Sequence, residues 1–146
     1  MKNIRSCTFC CKKLRALNDI IYEDAKVMAM MDRNPRAKKH VLVIPLEHIP
    51  FVDDLLPMHF SLLKHMLMIG KHILITDGFV DKESCRFGFH RSPFASVSHL
   101  HLHCLGLPFR PWWNQLRFIE SVLPSYVNAE SVVATLRNKQ DPLNNS

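Results

Sequence analysis

The chain has 146 residues, enough for one domain with a sizeable core and too few for two ordinary domains. Apolar residues make up 47 % and charged residues 22 %, values near the average of folded proteins, which argues against disorder and fibrous structure. The net charge of +6 suits an anionic substrate or a nucleic acid, although it can equally serve solubility. All apolar runs are far shorter than the ~18 residues of a membrane-spanning helix, so we expect no membrane segment.

No repeat, low-complexity tract or linker divides the sequence, so we predict a single domain over residues 1–146 with a flexible tail from about residue 140. The first twenty residues contain scattered Lys and Arg and lack the apolar core of a signal peptide, which predicts a location in the cytoplasm or the nucleus. The four glycines are widely spaced, which excludes a Walker loop and a dinucleotide fingerprint. We therefore expect no organic cofactor, and any phosphate must be bound by other groups.

The first half of the chain predicts mainly strands. Ile20–Glu23 and Val27–Met31 are short apolar runs separated by a turn-like Asp-Ala-Lys, the pattern of a β-hairpin. Asn34-Pro35 then ends the second run and begins a loop. Residues 41–44 are β-branched and apolar and are closed by a proline, which predicts a buried strand.

The second half predicts two helices and two further strands. Apolar residues recur at helical spacing over residues 57–76, with Pro57 suited to the first turn. Residues 85–89 and 97–105 read as strands, and Asn128 can cap a last helix. The chain is therefore predicted to be an α+β domain with about five strands, mostly antiparallel, and two helices.

Three histidines alternate with apolar residues in the most informative segment, residues 97–105. In a strand, successive side chains point to opposite faces, so His99, His101 and His103 would share one face at intervals of about 6.6 Å. The intervening leucines and cysteine would share the other face. Such a strand predicts an apolar face on the core and a histidine face on a cleft.

Aligned imidazoles suit three roles that the residues alone do not separate. They can ligate a metal, they can act on phosphate as nucleophile and acid, or they can simply be hydrogen-bonded on a half-exposed sheet. His40 and His48 bracket the predicted strand at 41–44, and Ser96 lies five positions before His101. A second histidine-bearing strand and a hydroxyl donor are therefore available for chemistry.

The segment 99–105, HLHLHCL, matches the His-φ-His-φ-His-φ-φ signature of the histidine triad superfamily. The sequence resembles that superfamily over nearly its whole length. CTFC at 7–10 resembles the start of that domain, DRNPRAKKHVLVIPLEHI at 32–49 its nucleotide-binding strand and loop, and residues 57–75 its long helix. RFGFH at 86–90 and PFAS at 93–96 are similar to the third branch of histidine triad nucleotide-binding proteins, and that branch resembles the catalytic domain of aprataxin. The resemblance implies a nucleotide-binding hydrolase with the histidine triad fold.

The resemblance also implies catalytic roles. His101 would be the nucleophile that forms a nucleotidyl-imidazole intermediate, which water then hydrolyses. His103 and Ser96 would contact phosphate oxygens and assist the leaving group, and His40 would complete the histidine cluster. Considered alone, His40 can equally be a hydrogen-bonded histidine at the end of a strand.

Three further residues are implied to contact the nucleotide. Asp32 aligns with the carboxylate that accepts hydrogen bonds from the ribose hydroxyls, although by itself it is typical of a turn before Asn34-Pro35. Met30 and Arg33 occupy the positions at which relatives usually have apolar or aromatic groups beside the base.

Cys7 and Cys10 form a Cys-x-x-Cys pair, which by itself is a weak signal for zinc. The resemblance adds His48 and His99, which complete the four ligands of the zinc-binding members, and such a closed Cys₂His₂ set is structural. The metal would hold the amino-terminal segment against the start of the histidine strand. Metal-free thiols and ligation by the adjacent Cys11 are alternatives that the sequence leaves open.

Three functions follow from the resemblance. The leading one is hydrolysis of adenosine 5′-monophosphoramidate or related bonds, with a small adenosine nucleotide as substrate. The second is an aprataxin-like removal of adenylate from DNA 5′ ends, favoured by the charge of +6 and opposed by the end of the sequence at Ser146 without a zinc finger. The third is a nucleotide-sensing scaffold with incidental hydrolysis.

Trp112 and Trp113, in a predicted loop, can cover the cleft, form a homodimer contact or simply pack.

Overall fold

The computed structural model describes residues 7–10, 16–120 and 125–141, so Cys11 and most of the predicted tail lie outside the described residues. The strands are β1 (Ile20–Glu23), β2 (Val27–Met31), β3 (Ala37–Pro45), β4 (Cys85–His90), β5 (Leu102–Phe109) and β6 (Tyr126–Asn128). The α-helices of this part are α1 (Phe60–Thr76) and α2 (Ala129–Gln140). Short 3₁₀ segments occur at Val52–Asp54, Pro57–His59, Lys82–Ser84 and Trp112–Phe118.

The six strands form one antiparallel sheet in the order β1-β2-β3-β5-β4-β6. Helix α1 packs on β3 and β5, and α2 packs on α1 and β4. This arrangement confirms the predicted α+β class, the hairpin and the long helix. Among the described residues, none of the helices is both long and apolar enough to span a lipid bilayer.

The main core lies between the sheet and the two helices. Val41 and Val43 of β3 and Leu102 of β5 belong to this core, together with Leu63 and Met66 of α1. Because side chains alternate along a strand, the neighbouring positions of β3 and β5 face away from the helices. That opposite face carries the histidines.

The predicted strand 97–105 is wrong in its bounds, because the paired strand begins at Leu102 and runs to Phe109. The ladder between β3 and β5 stops at the pair Val43 and Leu102. Amides alternate between the two edges of a strand, and Pro45, two residues after Val43 on β3, has no N–H to donate towards β5. The preceding segment bonds elsewhere: the Leu100 amide donates to the carbonyl of Ile49 at 2.6 Å. The histidine segment is therefore part strand and part loop.

Two other expectations need adjustment. Strand β3 is longer than predicted, so that His40 lies inside it and not at its end. The sequence does not predict the three-residue strand β6, which raises the number of strands among the described residues to six. The predicted cap of the last helix is confirmed, because the Asn128 Oδ1 accepts a hydrogen bond from the Glu130 amide at 2.8 Å.

Candidate active site

The register of the sheet brings three histidines from three strands together. Leu42 of β3 and Gly88 of β4 are the direct partners of His103 on β5. His40 lies two residues before Leu42 and His90 two residues after Gly88, so both are diagonal neighbours of His103 on the same face. Diagonal neighbours are close enough for long and aromatic side chains to touch.

The three rings form a continuous row of close nitrogen–nitrogen contacts. The His40 Nε2 lies 2.9 Å from the His103 Nδ1, and the His103 Nε2 lies 3.1 Å from the His90 Nδ1. Gly88, directly opposite His103, has no room for a side chain, because a Cβ there would overlap the ring of Tyr126. Both ring nitrogens of His103 are therefore engaged by other histidines.

His101 lies just before β5, and its orientation follows from one hydrogen bond. Its Nδ1 is 2.8 Å from the carbonyl oxygen of His99, an acceptor only, so this nitrogen carries the proton. The lone pair of the neutral ring is consequently on Nε2. The His101 ring centroid lies 4.9 Å from that of His103, which places a potential nucleophile beside the histidine row.

The histidine row borders a cleft of about 580 Å³. The residues that line it are polar or aromatic for the most part: Asp32, Asn34, Arg36, His40, His90, Phe94, Ser96, His103, Leu116, Arg117, Phe118 and Ser125. A second cavity, of about 650 Å³, lies on the helix side and is lined by residues such as Lys71, Phe79 and Arg86, without histidine. Of these two cavities, the histidine-lined cleft is therefore the one with groups suited to acid–base or nucleophilic chemistry.

Asp32 and Ser96 both line this cleft, and Asp32 is also part of a turn. The Asp32 Oδ1 accepts from the Asn34 amide at 2.8 Å, while its Oδ2 lies 3.4 Å from the His40 Nε2. The carboxylate thus serves the local turn and the cleft at once. Its remaining lone pairs are available to a ligand.

Met30 and Arg33 are not among the residues that line the cleft. Met30 is buried in a separate apolar cluster with Phe9 and Leu42. The Arg33 guanidinium donates a hydrogen bond to the carbonyl oxygen of Leu17. Their predicted positions beside a base remain a prediction from the resemblance alone.

Burial keeps the histidine row neutral. It lowers the pKa of His40 to about 4 against the opposing field of Asp32, and it holds the pKa of His103 well below 6.5. The pKa of His90 is also lowered, chiefly by burial, although its bond to the Arg117 carbonyl opposes the shift. At neutral pH the row therefore consists of neutral imidazoles and carries no net charge.

The lowered pKa of His40 predicts that the protein loses stability in acid. The unfolded chain binds a proton near pH 6.5 and the folded chain only near pH 4, so stability is complete above 6.5 and falls by about 3 kcal/mol towards pH 4 from this residue alone. Denaturant unfolding of the wild type and of His40→Gln at several pH values measures the effect. The variant should show a flatter decline between pH 6.5 and 4, and equal slopes would contradict the burial of a neutral His40.

A second cluster unites the predicted metal ligands. Cys7, Cys10, His48 and His99 place one ligand atom each within 4.8 Å of all the others. The Cys10 Sγ lies 3.2 Å from the His48 Nδ1 and 3.3 Å from the His99 Nδ1, and these two nitrogens are 3.1 Å apart. With zinc–sulfur bonds near 2.3 Å and zinc–nitrogen bonds near 2.0 Å, the corners of a tetrahedron are separated by about 3.3–3.8 Å. These four residues could therefore hold a metal ion.

The orientation of His99 agrees with this arrangement. Its Nε2 donates to the carbonyl oxygen of Pro45 at 2.8 Å, which leaves the lone pair on Nδ1, facing the other ligands. Phe9, between the two cysteines, packs edge-on against His99 and His101 with ring centroids 5.8 and 5.9 Å away. The turn at residues 7–10, here called the cysteine turn, thus supplies two members of the cluster and also contacts the candidate nucleophile.

The sequence did not predict a role for several residues of the cleft. His90 belongs to the motif at residues 86–90. It lies two residues after Gly88, so the alternation of side chains along a strand places both residues on one face of β4. Arg36 lies four residues before His40, and its amide donates to the His40 Nδ1 at 3.1 Å. Arg117 and Phe118 come from the 3₁₀ segment Trp112–Phe118, which no periodicity in the sequence connects with the histidines.

Comparison with known proteins agrees with the geometry. Residues 6–118 match the family model "Scavenger mRNA decapping enzyme C-term binding". A bifunctional adenosine 5′-phosphosulfate phosphorylase/adenylylsulfatase of Arabidopsis thaliana is 39 % identical over 91 % of this chain and 92 % of its own. An adenosine 5′-monophosphoramidase of Xenopus tropicalis is 36 % identical over 68 % of this chain and 67 % of its own.

Solved structures show the same fold. A HIT family hydrolase from Clostridium thermocellum has a TM-score of 0.64 and 32 % identity, covering 73 % of this chain and 94 % of that one. An aprataxin ortholog in complex with DNA has a TM-score of 0.53 and 22 % identity, covering 71 % of this chain and 60 % of that one, and shares the fold. The family match and these similarities together show that the chain belongs to the histidine triad family.

Proposed function

We propose that this protein hydrolyses adenosine 5′-phosphoramidates and related adenylates through a covalent nucleotidyl-histidine intermediate on His101. The observation that carries the proposal is the hydrogen bond from the His101 Nδ1 to the His99 carbonyl, which leaves the lone pair on Nε2. The His101 ring lies against the ring of His103, and His103 lines the cleft. The phosphoramidase of Xenopus tropicalis among the relatives supports this choice of substrate.

In the first step, the lone pair of the His101 Nε2 attacks the α-phosphorus, and the phosphorus–nitrogen bond of the substrate breaks. The amine leaves with the bonding electrons and takes up a proton from solvent. In the second step, water attacks phosphorus and releases a proton to solvent, the bonding electrons return to Nε2 as the phosphorus–nitrogen bond breaks, and adenosine monophosphate is released. The charge that develops on the phosphoryl oxygens is near Arg36, Arg117 and the Ser96 hydroxyl, which all line the cleft. Asp32 would accept hydrogen bonds from the ribose.

We further propose that Cys7, Cys10, His48 and His99 bind zinc. A closed set of four protein ligands leaves no position for substrate, so the ion would act structurally. Its support is the near-tetrahedral spacing of the ligand atoms. The ion would join the cysteine turn to the segment that begins just before His101.

The leaving group separates the candidate substrates, since all of them share the adenylyl group. The Arabidopsis relative, with 39 % identity over most of both chains, favours adenosine 5′-phosphosulfate as a second candidate. Adenylated DNA is a third candidate, supported by the charge of +6 and by the aprataxin-like relatives. A DNA-end enzyme must neutralise several phosphates, so its affinity should fall steeply with salt.

We expect the highest kcat/KM on an adenosine 5′-phosphoramidate, because the ribose and phosphate contacts of the cleft suffice for it. The comparison uses this substrate, adenosine 5′-phosphosulfate and a 5′-adenylated nicked duplex, all at physiological salt. DNA binding should be weak and strongly dependent on salt. A higher kcat/KM on the nicked duplex would reverse the ranking, and a higher value on the phosphosulfate would change the leaving group and keep the mechanism.

The homodimer and the location in cytoplasm or nucleus remain predictions. Trp112 and Trp113 are 69 % and 56 % exposed, so they do not simply pack inside the chain. They belong to the segment that also supplies Leu116 and Arg117 to the cleft. Light scattering at several protein concentrations measures whether two chains associate.

A further inference from the structure

The histidine row has a backbone group at each end, and together they form one uninterrupted chain of hydrogen bonds. At one end the Arg36 amide lies 3.1 Å from the His40 Nδ1. At the other end the His90 Nε2 lies 2.8 Å from the carbonyl oxygen of Arg117. Between them are the contacts of 2.9 Å from His40 to His103 and 3.1 Å from His103 to His90.

The two ends determine where every proton in the row must be. An amide only donates, so the His40 Nδ1 must accept, and a neutral His40 then has its proton on Nε2. That proton is donated to the His103 Nδ1, so His103 in turn carries its proton on Nε2 and donates to the His90 Nδ1. His90 is left with its proton on Nε2, which the Arg117 carbonyl accepts. The three neutral rings have one proton each, and these protons form the bonds from His40 to His103, from His103 to His90 and from His90 to Arg117. Only donation in this order, from His40 towards Arg117, satisfies all the nitrogens.

We propose that His90 is a positioning residue that fixes the tautomer and the ring orientation of His103 by accepting its Nε2 proton. His90 can do so because the Arg117 carbonyl holds its own proton on the far nitrogen. Without His90, the His103 Nε2–H loses its partner, and His103 is free to rotate or to change tautomer. His90 is half-buried and contacts the His103 ring at a centroid distance of 4.7 Å, so it also restricts that ring sterically.

The kinetic consequence rests on the proposed function. His101 keeps the proton on Nδ1 when phosphorus bonds to Nε2, so the adenylated ring is a cation. The His103 ring, 4.9 Å away between centroids, would repel that cation if it were itself protonated. When every ring nitrogen of the row is hydrogen-bonded in the neutral form, His103 has no free lone pair to bind a second proton. His103 then stays neutral and does not repel the adenylated His101, which stabilises the intermediate. The same row holds His103 in a constant position beside the nucleophile.

The test combines a measurement of tautomers with kinetics. In the substrate-free wild type labelled with ¹⁵N at histidine, two-bond ¹H–¹⁵N spectra should show the His103 proton on Nε2, with the signal assigned by its loss in His103→Gln. His90→Leu removes the acceptor and should replace this single form by a mixture. His90→Asn keeps an acceptor oxygen and should keep the single form. His72→Leu, at an exposed position of α1, is the matched control and should behave as the wild type.

Hydrolysis of the phosphoramidate should follow the tautomers. We expect kcat to fall about tenfold in His90→Leu with KM nearly unchanged, and to recover in His90→Asn, since the loss concerns the transition state more than binding. A His103 proton on Nδ1 in the wild type, or an unchanged spectrum in His90→Leu, would overturn the proposal. The wild-type spectrum needs no variant, so the proposal is testable even if His90→Leu does not fold. Expected tautomers in a protein that hydrolyses no adenylate would support the hydrogen-bond assignment and refute the proposed function.

Discussion

His101→Ala is expected to lower kcat for phosphoramidate hydrolysis by about 10⁴-fold while nucleotide binding remains measurable. The substitution removes the attacking nitrogen and leaves in place the groups proposed to bind ribose and phosphate. The two effects are separated by steady-state kinetics and by calorimetric titration with adenosine monophosphate.

His72→Ala controls for the loss of a histidine elsewhere in the chain, since His72 is exposed on α1. It should retain wild-type activity. A fully active His101→Ala would exclude covalent catalysis at this residue. An inactive variant that also fails to bind nucleotide would mean that the ring contributes mainly to binding, contrary to the mechanism proposed.

Zinc is expected at about one ion per chain, and its removal by a chelator should lower the melting temperature by about 10 °C or more. The reason is that an ion bound only by the folded chain adds its binding free energy to that of folding. Elemental analysis of protein made without a metal-affinity tag gives the content, and thermal unfolding with and without chelator gives the stability.

Two cysteine variants make this test specific. Cys7→Ser removes a ligand and should abolish stoichiometric zinc. Cys85→Ser changes a half-buried thiol outside the cluster, whose Sγ lies 3.5 Å from the Phe79 carbonyl oxygen, and should keep it. Wild-type protein without zinc, or an unchanged content in Cys7→Ser, would reject the site.

Much of the fold could be predicted because its signals are local. The hairpin of β1 and β2 follows from two apolar runs around a turn, and α1 follows from helical spacing over residues 57–76. The beginning of β5 could not be predicted in this way. Alternating residues suggested a strand from residue 97, whereas the ladder ends where Pro45 on another strand lacks an N–H. Limits set by a partner strand are not visible in the segment itself.

The candidate site shows the same division. The pattern of three histidines and the resemblance to the family named His40, His101 and His103 directly. His90 joins them only through the register of β4 against β5, and Arg117 only through a connection that follows β5. Residues that reach a site through tertiary packing leave little trace in local periodicity, so these two were missed.

The central claim is that an adenylyl group is carried by the Nε2 of His101. Wild-type protein mixed with an adenosine 5′-phosphoramidate and quenched within milliseconds, without acid, is digested and mapped by mass spectrometry. The account predicts an acid-labile adenylyl adduct on the peptide that contains His101, formed and consumed at rates no slower than turnover. An adduct on another residue, or turnover with no adduct under conditions that preserve phosphorus–nitrogen bonds, would contradict it.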